Sequence, residues 1–316
     1  MPAEANTAES NQDGAWLTIG SFDGVHIGHQ QIIKTLVRGA ATEKASSLVV
    51  TFYPHPVKVL KDIQAPFYLT TPEEKDRELS GLGITSILTI RFNRDLANLS
   101  AYDFMKILHD RLKFSCLLIG YDFHLGKNRE GDITELTAIG ENLGYCVRAI
   151  EPLESGSQAV SSSRVRKLIM EGQLGEANKM LGRWYELSGE VVHGDGRGRH
   201  IGIPTANISC WSEKLIPATG IYSSWAQLDD RLIPSVVNIG LRPTFYENPT
   251  LQTIEVHLLD FNRDIYGSNM RLHFVNRIRY EEKFDSAETL MKQIRADINK
   301  SREVLANAPA KKNLSP

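Results

Sequence analysis

The sequence predicts an α/β protein made of two unlike parts. One is a Rossmann-like parallel sheet with helices on both sides; the other is a small closed β-barrel with a terminal helix. Three observations carry this. From Trp16 to Ile150, short continuously apolar runs alternate with runs of helical period. Beyond Arg183, strand-like runs follow one another with turn-rich connections and no long helix between them. The stretch from Ser286 to Leu305 is then amphipathic at helical spacing. A chain of 316 residues has room for both parts.

Trp16–Ile19 reads as a buried strand, followed by a helix whose face carries Ile32, Ile33, Leu36 and Val37. Ser47–Phe52 is a second strand, stopped by Pro54 and Pro56. Thr71-Pro72-Glu73-Glu74 is a helix start, with Thr71 as N-cap, Pro72 in the first turn and Glu74 closing a capping box. Ser86–Ile90 is the third strand. Ser100 and Asp103 open a helix presenting Phe104, Ile107, Leu108 and Leu112 on one face. Cys116–Ile119, a helix over Ile133–Leu143 and Cys146–Ile150 complete the alternation. Strands so short and apolar, separated by helices, imply a parallel sheet covered on both faces. A Ser- and Gly-containing loop (Glu154–Gln158) leads to Ser161–Arg166 and two helical runs, the second over Leu174–Leu181.

Composition shifts at Gly182–Tyr185, which places the domain boundary after residue 182. Barrel strands are expected at Tyr185–Val192, Ile221–Gln227, Ile233–Ile239, Gln252–Leu258 and Met270–Val275. Turns are expected at Gly194–Gly202, Leu228–Arg231, Gly240–Pro249 and Asp260–Gly267. The domains are thus 14–182 and 183–306, with polar ends over 1–13 and 307–316 expected to be disordered.

A formal charge of −2 gives no global field to recruit nucleic acid or an anionic membrane, so phosphate binding must come from local geometry. No apolar stretch approaches membrane-spanning length, and 1–13 lacks the parts of a signal peptide. Cys116, Cys146 and Cys210 are far apart in sequence and odd in number; they read as small core residues in a reducing compartment, and a cytoplasmic protein is expected. No long exposed apolar seam is evident, and the oligomeric state stays open.

Between the first strand and the first helix stands Gly20-Ser21-Phe22-Asp23-Gly24-Val25-His26-Ile27-Gly28-His29. Two histidines three apart fall on the first turn of a helix, where unpaired N–H groups favour an anion. Gly28 lets a ligand approach the backbone. The pattern reads as a triphosphate site. Tyr53–Pro56 and Gly120–Arg129 are polar clusters at the carboxyl ends of other strands, where parallel sheets bind ligands. Within the latter, Lys127 and Arg129 read as a solvated basic loop. Ser161-Ser162-Ser163-Arg164-Val165-Arg166 offers hydroxyls and cations at another helix start, although alone it is a plain capped helix.

The second half has its own polar constellation. Gly194-Asp195-Gly196-Arg197-Gly198-Arg199 precedes Gly202-Ile203-Pro204-Thr205-Ala206-Asn207; such glycines let N–H groups converge on phosphate, and Thr and Asn oxygens suit a hard cation such as Mg²⁺. Glu255 and His257 share a strand face, and a carboxylate there can take a proton from an attacking hydroxyl. Common nucleotide fingerprints fail. Gly120…Gly126-Lys127-Asn128 has the wrong spacing and last residue for a P-loop, and the glycine loop is not Gly-x-Gly-x-x-Gly. Read alone, this half is a flexible hairpin loop with a solvent-facing Glu–His pair.

The His-x-Gly-His core resembles the nucleotidyltransferase superfamily. Joined to Phe22–His26, Thr51-Phe52-Tyr53-Pro54-His55-Pro56 and the serine–arginine motif, it resembles the bacterial bifunctional riboflavin kinase/FMN adenylyltransferases, often called FAD synthetases. The second half resembles their riboflavin kinase module through Gly202–Asn207, Asn238-Ile239-Gly240-Leu241-Arg242-Pro243-Thr244, Glu255-Val256-His257 and Arg279-Tyr280-Glu281-Glu282-Lys283-Phe284. The likeness runs from about Gly14 to Leu305. It implies ATP, riboflavin, FMN and FAD as substrates or products, with Mg²⁺ as the metal. His26 and His29 would hold ATP phosphates, with Phe22, Asp23, Gly24, Gly28, Ser162, Ser163 and Arg166 as further ATP contacts. His55 and Asp122 would lie toward flavin. In the kinase half, Gly202, Pro204, Thr205 and Asn207 would bind ATP, Thr205 and Asn207 also the metal, Glu255 would be the base, and Arg279 and Phe284 would face flavin. Ser21, Tyr53, Ser163 and Val256 depart from the family pattern, Tyr53 most.

The two halves divide the chemistry. Phosphorylating riboflavin needs a base for a neutral hydroxyl; FMN's phosphate is already ionised and needs only charge neutralisation at the α-phosphorus. Two other readings are carried: a single-activity adenylyltransferase with a flavin-binding barrel, and an inactive flavin- or RNA-binding regulator. Intact Thr205, Asn207, Glu255 and histidines argue against both.

Overall fold

The structure, a computed structural model, describes residues 14–151, 154–155, 158–194, 202–242 and 251–308. Packing divides them into two units. Residues up to Ala65 with Thr70–Ser161 form the first; Pro66–Leu69 with the residues from Ser162 onward form the second.

In the first unit the order is β1 (Trp16–Ile19), α1 (Ile27–Thr42), β2 (Ser47–Tyr53), α2 (Pro56–Leu60), α3 (Pro72–Ser80), β3 (Ser86–Arg91), α4 (Arg94–Ala97), α5 (Ala101–Leu112), β4 (Cys116–Gly120), α6 (Ile133–Leu143) and β5 (Cys146–Ile150), then a short hairpin of β6 (Glu154–Ser155) and β7 (Gln158–Ala159). The five long strands form a parallel sheet in the order β3-β2-β1-β4-β5. Alternation along each strand feeds two apolar layers. Leu17, Ile19, Leu117 and Ile119 pack on one face with Phe104, Met105, Leu108 and Leu136. Trp16, Val49, Cys116 and Leu118 pack on the other with Ile33, Leu36 and Leu79. Each such large side chain contributes about 1.5–3 kcal/mol on burial. Trp16 lies so close to α1 that a Cβ at Gly39 would fall 2.1 Å from its ring, so only glycine fits there.

Thr71 caps α3 with the expected capping box, its hydroxyl accepting from Glu74 N–H while the Glu74 carboxylate accepts from Thr71 N–H. Ser100 caps α5. Two expectations fail here. Ile107 is 58 % exposed, and Met105 takes the buried place instead, because the apolar stripe of α5 is narrower than its composition suggests. The cysteines are not all core residues: Cys116 is buried, Cys146 exposed and Cys210 half-buried.

In the second unit α7 (Ser162–Met170) and α8 (Leu174–Leu181) precede β8 (Tyr185–Val192), β9 (Ala206–Cys210), β10 (Gly220–Leu228), β11 (Arg231–Arg242), β12 (Leu251–Leu258), β13 (Asn269–Arg279) and α9 (Ala287–Ala306). The strands close into an antiparallel barrel in the order β10-β11-β12-β9-β8-β13. Asn178 ties α8 to it: the amide nitrogen donates to Phe274 O, and the amide oxygen accepts from Tyr185 N–H. By packing, α7 and α8 therefore go with the barrel, ahead of the composition change at Gly182. Strand β9 was not expected; it begins inside the polar Gly202–Asn207 motif, beyond the turn expected at Gly194–Gly202. Strand β11 also runs through Gly240 to Arg242, where a turn was expected. Ser286 caps α9, as expected. Residues 195–201 and 243–250 of the expected turns lie outside the described residues, as do 1–13 and 309–316. Among the described residues no helix is long and apolar enough to cross a membrane.

Candidate functional site

In the first unit the polar clusters follow β1, β2 and β4, at the carboxyl end of the sheet. His26 is the N-cap of α1, in extended conformation, and its Nδ1 accepts from His29 N–H at 3.2 Å. That acceptance puts the proton of a neutral His26 on Nε2. It also corrects the expectation that both imidazoles sit on the first turn above unpaired amides. His26 stands one position earlier and uses one of those amides itself. The two rings stack at 3.6 Å with planes 15° apart, and Phe22 meets His29 edge-on at 5.1 Å. A Cβ at Gly28 would come within 3.2 Å of the His26 ring, so glycine there keeps the stack open.

The loop before this cap is strained. Phe22 (φ 47°) and Val25 (φ 38°) occupy the left-handed region, costly above all for a β-branched residue. Two residues absent from the sequence reading hold it. Thr70 donates from both its N–H and its hydroxyl to Asp23 Oδ1, and Thr70 Oγ1 accepts from Gly24 N–H, each at 3.2 Å. Buried Lys75 donates to Thr51 Oγ1 at 3.0 Å, and that hydroxyl donates to Ser21 O. Burial pushes the Lys75 ammonium below its ordinary range, against the opposing pull of Asp23 and Asp76. Phe22 and Asp23, each 2 % exposed, build the loop from within. The signal for Lys75 was a lysine four residues past the N-cap of an amphipathic helix, which ordinarily means a solvated side chain.

His55 is 7 % exposed and caps α2, its Nδ1 accepting from Val57 N–H. Asp122 is exposed just past β4, next to Gly120. Lys127 and Arg129 are exposed on a 3₁₀ turn, as expected of a solvated loop.

In the second unit Ser162 and Ser163 open α7. Arg166 is fixed by Phe67: its Nε donates to Phe67 O at 2.9 Å and its guanidinium lies 3.9 Å over the Phe67 ring.

On the barrel, Glu255 pairs in register with Asn207 on β9 and with Asn238 on β11. Directly opposed residues share a face, so the three side chains form one row across adjacent strands. Ile254, Val256, Val237 and Ile239 are buried, which sets this row on the outer face. Among the described residues, buried Asn238 Oδ1 has no hydrogen-bond partner. A Cβ built on Gly240 would lie 3.1 Å from Glu281 Oε1, 3.6 Å from Thr253 Oγ1 and 3.7 Å from Asn238 Nδ2. Gly194 lies under Asn207, where a Cβ would collide with the amide at 1.9 Å. Thr205 and Pro204 immediately precede β9, and Pro204 O meets His257 Nδ1 at 2.8 Å. His257 is thus tied to that segment and is not simply solvent-facing. Gly202 is exposed at φ 75°.

Arg279 is committed elsewhere. Its Nε and one Nη donate to Asp297 of α9 at 2.8–3.1 Å, and the other Nη donates to Tyr280 O. Phe284 lies 5.5 Å beneath that guanidinium. Arg279, expected near flavin, ties β13 to the final helix through Asp297, and Phe284, also expected there, packs under its guanidinium. The sequence reading put Gly194 in a phosphate loop and Asn238 in a motif without a role of its own; strand register sets Asn238 beside Glu255, and the chain just past β8 sets Gly194 against Asn207.

Two family models match. The FAD synthetase model covers residues 8–164, and the riboflavin kinase model covers 181–305. The bifunctional riboflavin kinase/FMN adenylyltransferase of Bacillus subtilis is 35 % identical over 92 % of both chains. That of Escherichia coli is 36 % identical over 94 % of this chain and 95 % of its own. The chain belongs to the bifunctional riboflavin kinase/FMN adenylyltransferase family. A solved structure described as a macrolide-efflux protein from Streptococcus pneumoniae also shares the architecture, with a TM-score of 0.86 at 29 % identity over 93 % of this chain and 95 % of that one. In a riboflavin kinase/FMN adenylyltransferase the two polar centres have separate substrates to serve. The α/β unit carries the histidine pair; the barrel carries Glu255 in its outer row.

Proposed function

We propose that the chain makes FAD in two ATP-dependent steps, with the base for the first step in the barrel and the donors for the second at the start of α1. The observation that carries the division is the row Asn207–Glu255–Asn238, which sets a carboxylate between two amides on one barrel face.

In the kinase step Glu255 takes the proton as the riboflavin hydroxyl attacks the γ-phosphorus of ATP. Thr205 and Asn207 supply hard oxygen donors suited to Mg²⁺, and the partnerless Oδ1 of Asn238 adds another acceptor to the same face. Bound there, Mg²⁺ would offset the negative charge of the ATP phosphates. Gly202 and Pro204 shape the approach to Thr205. Arg279, held by Asp297 of α9, and Phe284 beneath its guanidinium form the wall expected to face flavin.

In the adenylyl step the FMN phosphate, already ionised, attacks the α-phosphorus of ATP and pyrophosphate leaves. His26 Nε2–H and His29 donate toward the phosphates, Gly28 keeps backbone approach open, and Ser162, Ser163 and Arg166 add donors. Phe22, Asp23 and Gly24 shape the loop that presents the histidines. Asp122 and His55 are the flavin-side residues of this half. The functional domains on this reading are 14–182 and 183–306, in the cytoplasm, with small molecules as the partners.

Purified protein given riboflavin, ATP and Mg²⁺, with products resolved by chromatography, tests the proposal. FMN should appear first and FAD after it. FMN consumed with riboflavin unused would reduce the barrel to a binding module; no turnover of either flavin would remove the enzymatic reading.

A further inference from the structure

Cys116 and Cys146 stand thirty positions apart in sequence yet are register partners on β4 and β5. Cys146 N–H donates to Ser115 O at 2.9 Å, which pins that register. Adjacent strands run about 4.8 Å apart, inside the Cα separation a disulfide spans, and opposed residues project to the same face. The two side chains are therefore neighbours on one face of the sheet. The pair is asymmetric. Cys146 is exposed on the edge strand β5, while Cys116 is 1 % exposed against Trp16 and α1.

We propose that Cys116 and Cys146 form a redox-active cross-strand dithiol, oxidised by a peroxide to an intramolecular disulfide. Cys146 is the attacking thiol, because only it is open to solvent. Arg148, two residues on and so on the same strand face, lies over the Trp16 ring with a guanidinium nitrogen 3.7 Å from Glu43. The Cys146 thiolate attacks one peroxide oxygen, the O–O bond breaks, and Cys146 becomes a sulfenic acid as the other oxygen leaves as hydroxide and is protonated to water. Cys116 Sγ then attacks Cys146 Sγ; the S–O bond breaks, the S–S bond forms, and the thiol proton leaves with the hydroxyl as a second water. Two thiols are oxidised by two electrons and one peroxide is reduced to two waters. Burial pushes the Cys116 thiol up, so it stays protonated and inert until a sulfenic acid forms beside it. The pair sits at the amino ends of β4 and β5, at the opposite end of the sheet from the histidines, and the bond would fasten the edge strand to its neighbour.

The test is peroxide treatment of the full-length protein, followed by denaturation, alkylation with iodoacetamide and peptide mass mapping. Of the three free thiols only Cys210 should remain alkylated. The intact mass should fall by two hydrogens, a linked Cys116–Cys146 peptide should appear, and dithiothreitol should restore all three labels. Cys210→Ser should oxidise in the same way, and Cys146→Ser should leave Cys116 fully alkylated after peroxide. Cys116 still fully alkylated in the treated wild type, a link through Cys210, or a disulfide between two chains would each overturn the proposal.

Discussion

Glu255 and Asn207 lie directly opposite one another on the β12–β9 ladder, with Asn238 opposite Glu255 on the other side. The carboxylate is therefore held by backbone register on both flanks. Glu255→Gln keeps the side-chain volume and hydrogen-bonding capacity but removes the base. It should lower FMN formation by about 10²–10⁴-fold while FAD formation from added FMN stays intact. Equal loss of both activities in a folded variant would count against separate sites.

Gly194 supports Asn207 by having no side chain. Gly194→Ala places a methyl group where the Asn207 amide now sits, 1.9 Å from its nitrogen. The amide must move, and the riboflavin kinase step should fall about tenfold or more, with the rise in KM for Mg-ATP as its mark. Adenylyl transfer assayed in the same sample should be unchanged.

The two histidines should separate on mutation. His29→Ala removes a donor and should slow adenylyl transfer about 10²–10³-fold, leaving riboflavin phosphorylation in place. His26→Ala removes the helix cap as well, so it should also lower unfolding stability by about 1 kcal/mol. Denaturant unfolding of the two variants side by side distinguishes the cap from the donor.

Lys75 gives a pH signature. Its folded value lies below the ordinary 10.5 because of burial, so the unfolded chain holds the proton more tightly. Between the folded and unfolded values the unfolded state binds more protons, and stability from this group rises with pH across that window. Lys75→Met lacks the titration. The stability difference between wild type and variant should therefore move in favour of wild type as pH climbs toward 10.5; an unchanging difference would contradict the burial argument.

Arg279 and Asp297 are a largely buried pair, 16 % and 4 % exposed. Arg279→Ala takes the guanidinium from the Asp297 carboxylate while the Gln293 amide stays, and should cost about 3 kcal/mol in denaturant unfolding. A smaller loss in Asp297→Asn/Arg279→Ala together would show that the penalty is the stranded charge.

Much of the architecture was legible because it depends on local patterns. Period set α6, α8 and the strands of the sheet almost to the residue, and Thr71, Ser100 and Ser286 marked the starts of α3, α5 and α9 because each cap acts within a single turn. Strand β9 was not legible: Thr205 and Asn207 look like a polar loop until β12 and β8 flank them. Likewise Thr70 and Lys75 acquire their roles only through contacts to residues over twenty positions away, which no motif spacing encodes. Cys116 and Cys146 are the same lesson in the sheet, neighbours through register and strangers in sequence.

One ring serves two ends at His26: its Nδ1 begins the helix and its Nε2 faces outward from that bond. Fraying of the first turn of α1 would free Nδ1, let the proton change nitrogen and unstack the ring from His29. The population of well-started helices thus sets the population of correctly protonated imidazoles. Amide exchange at His29 N–H would report the enzyme's readiness before any substrate arrives.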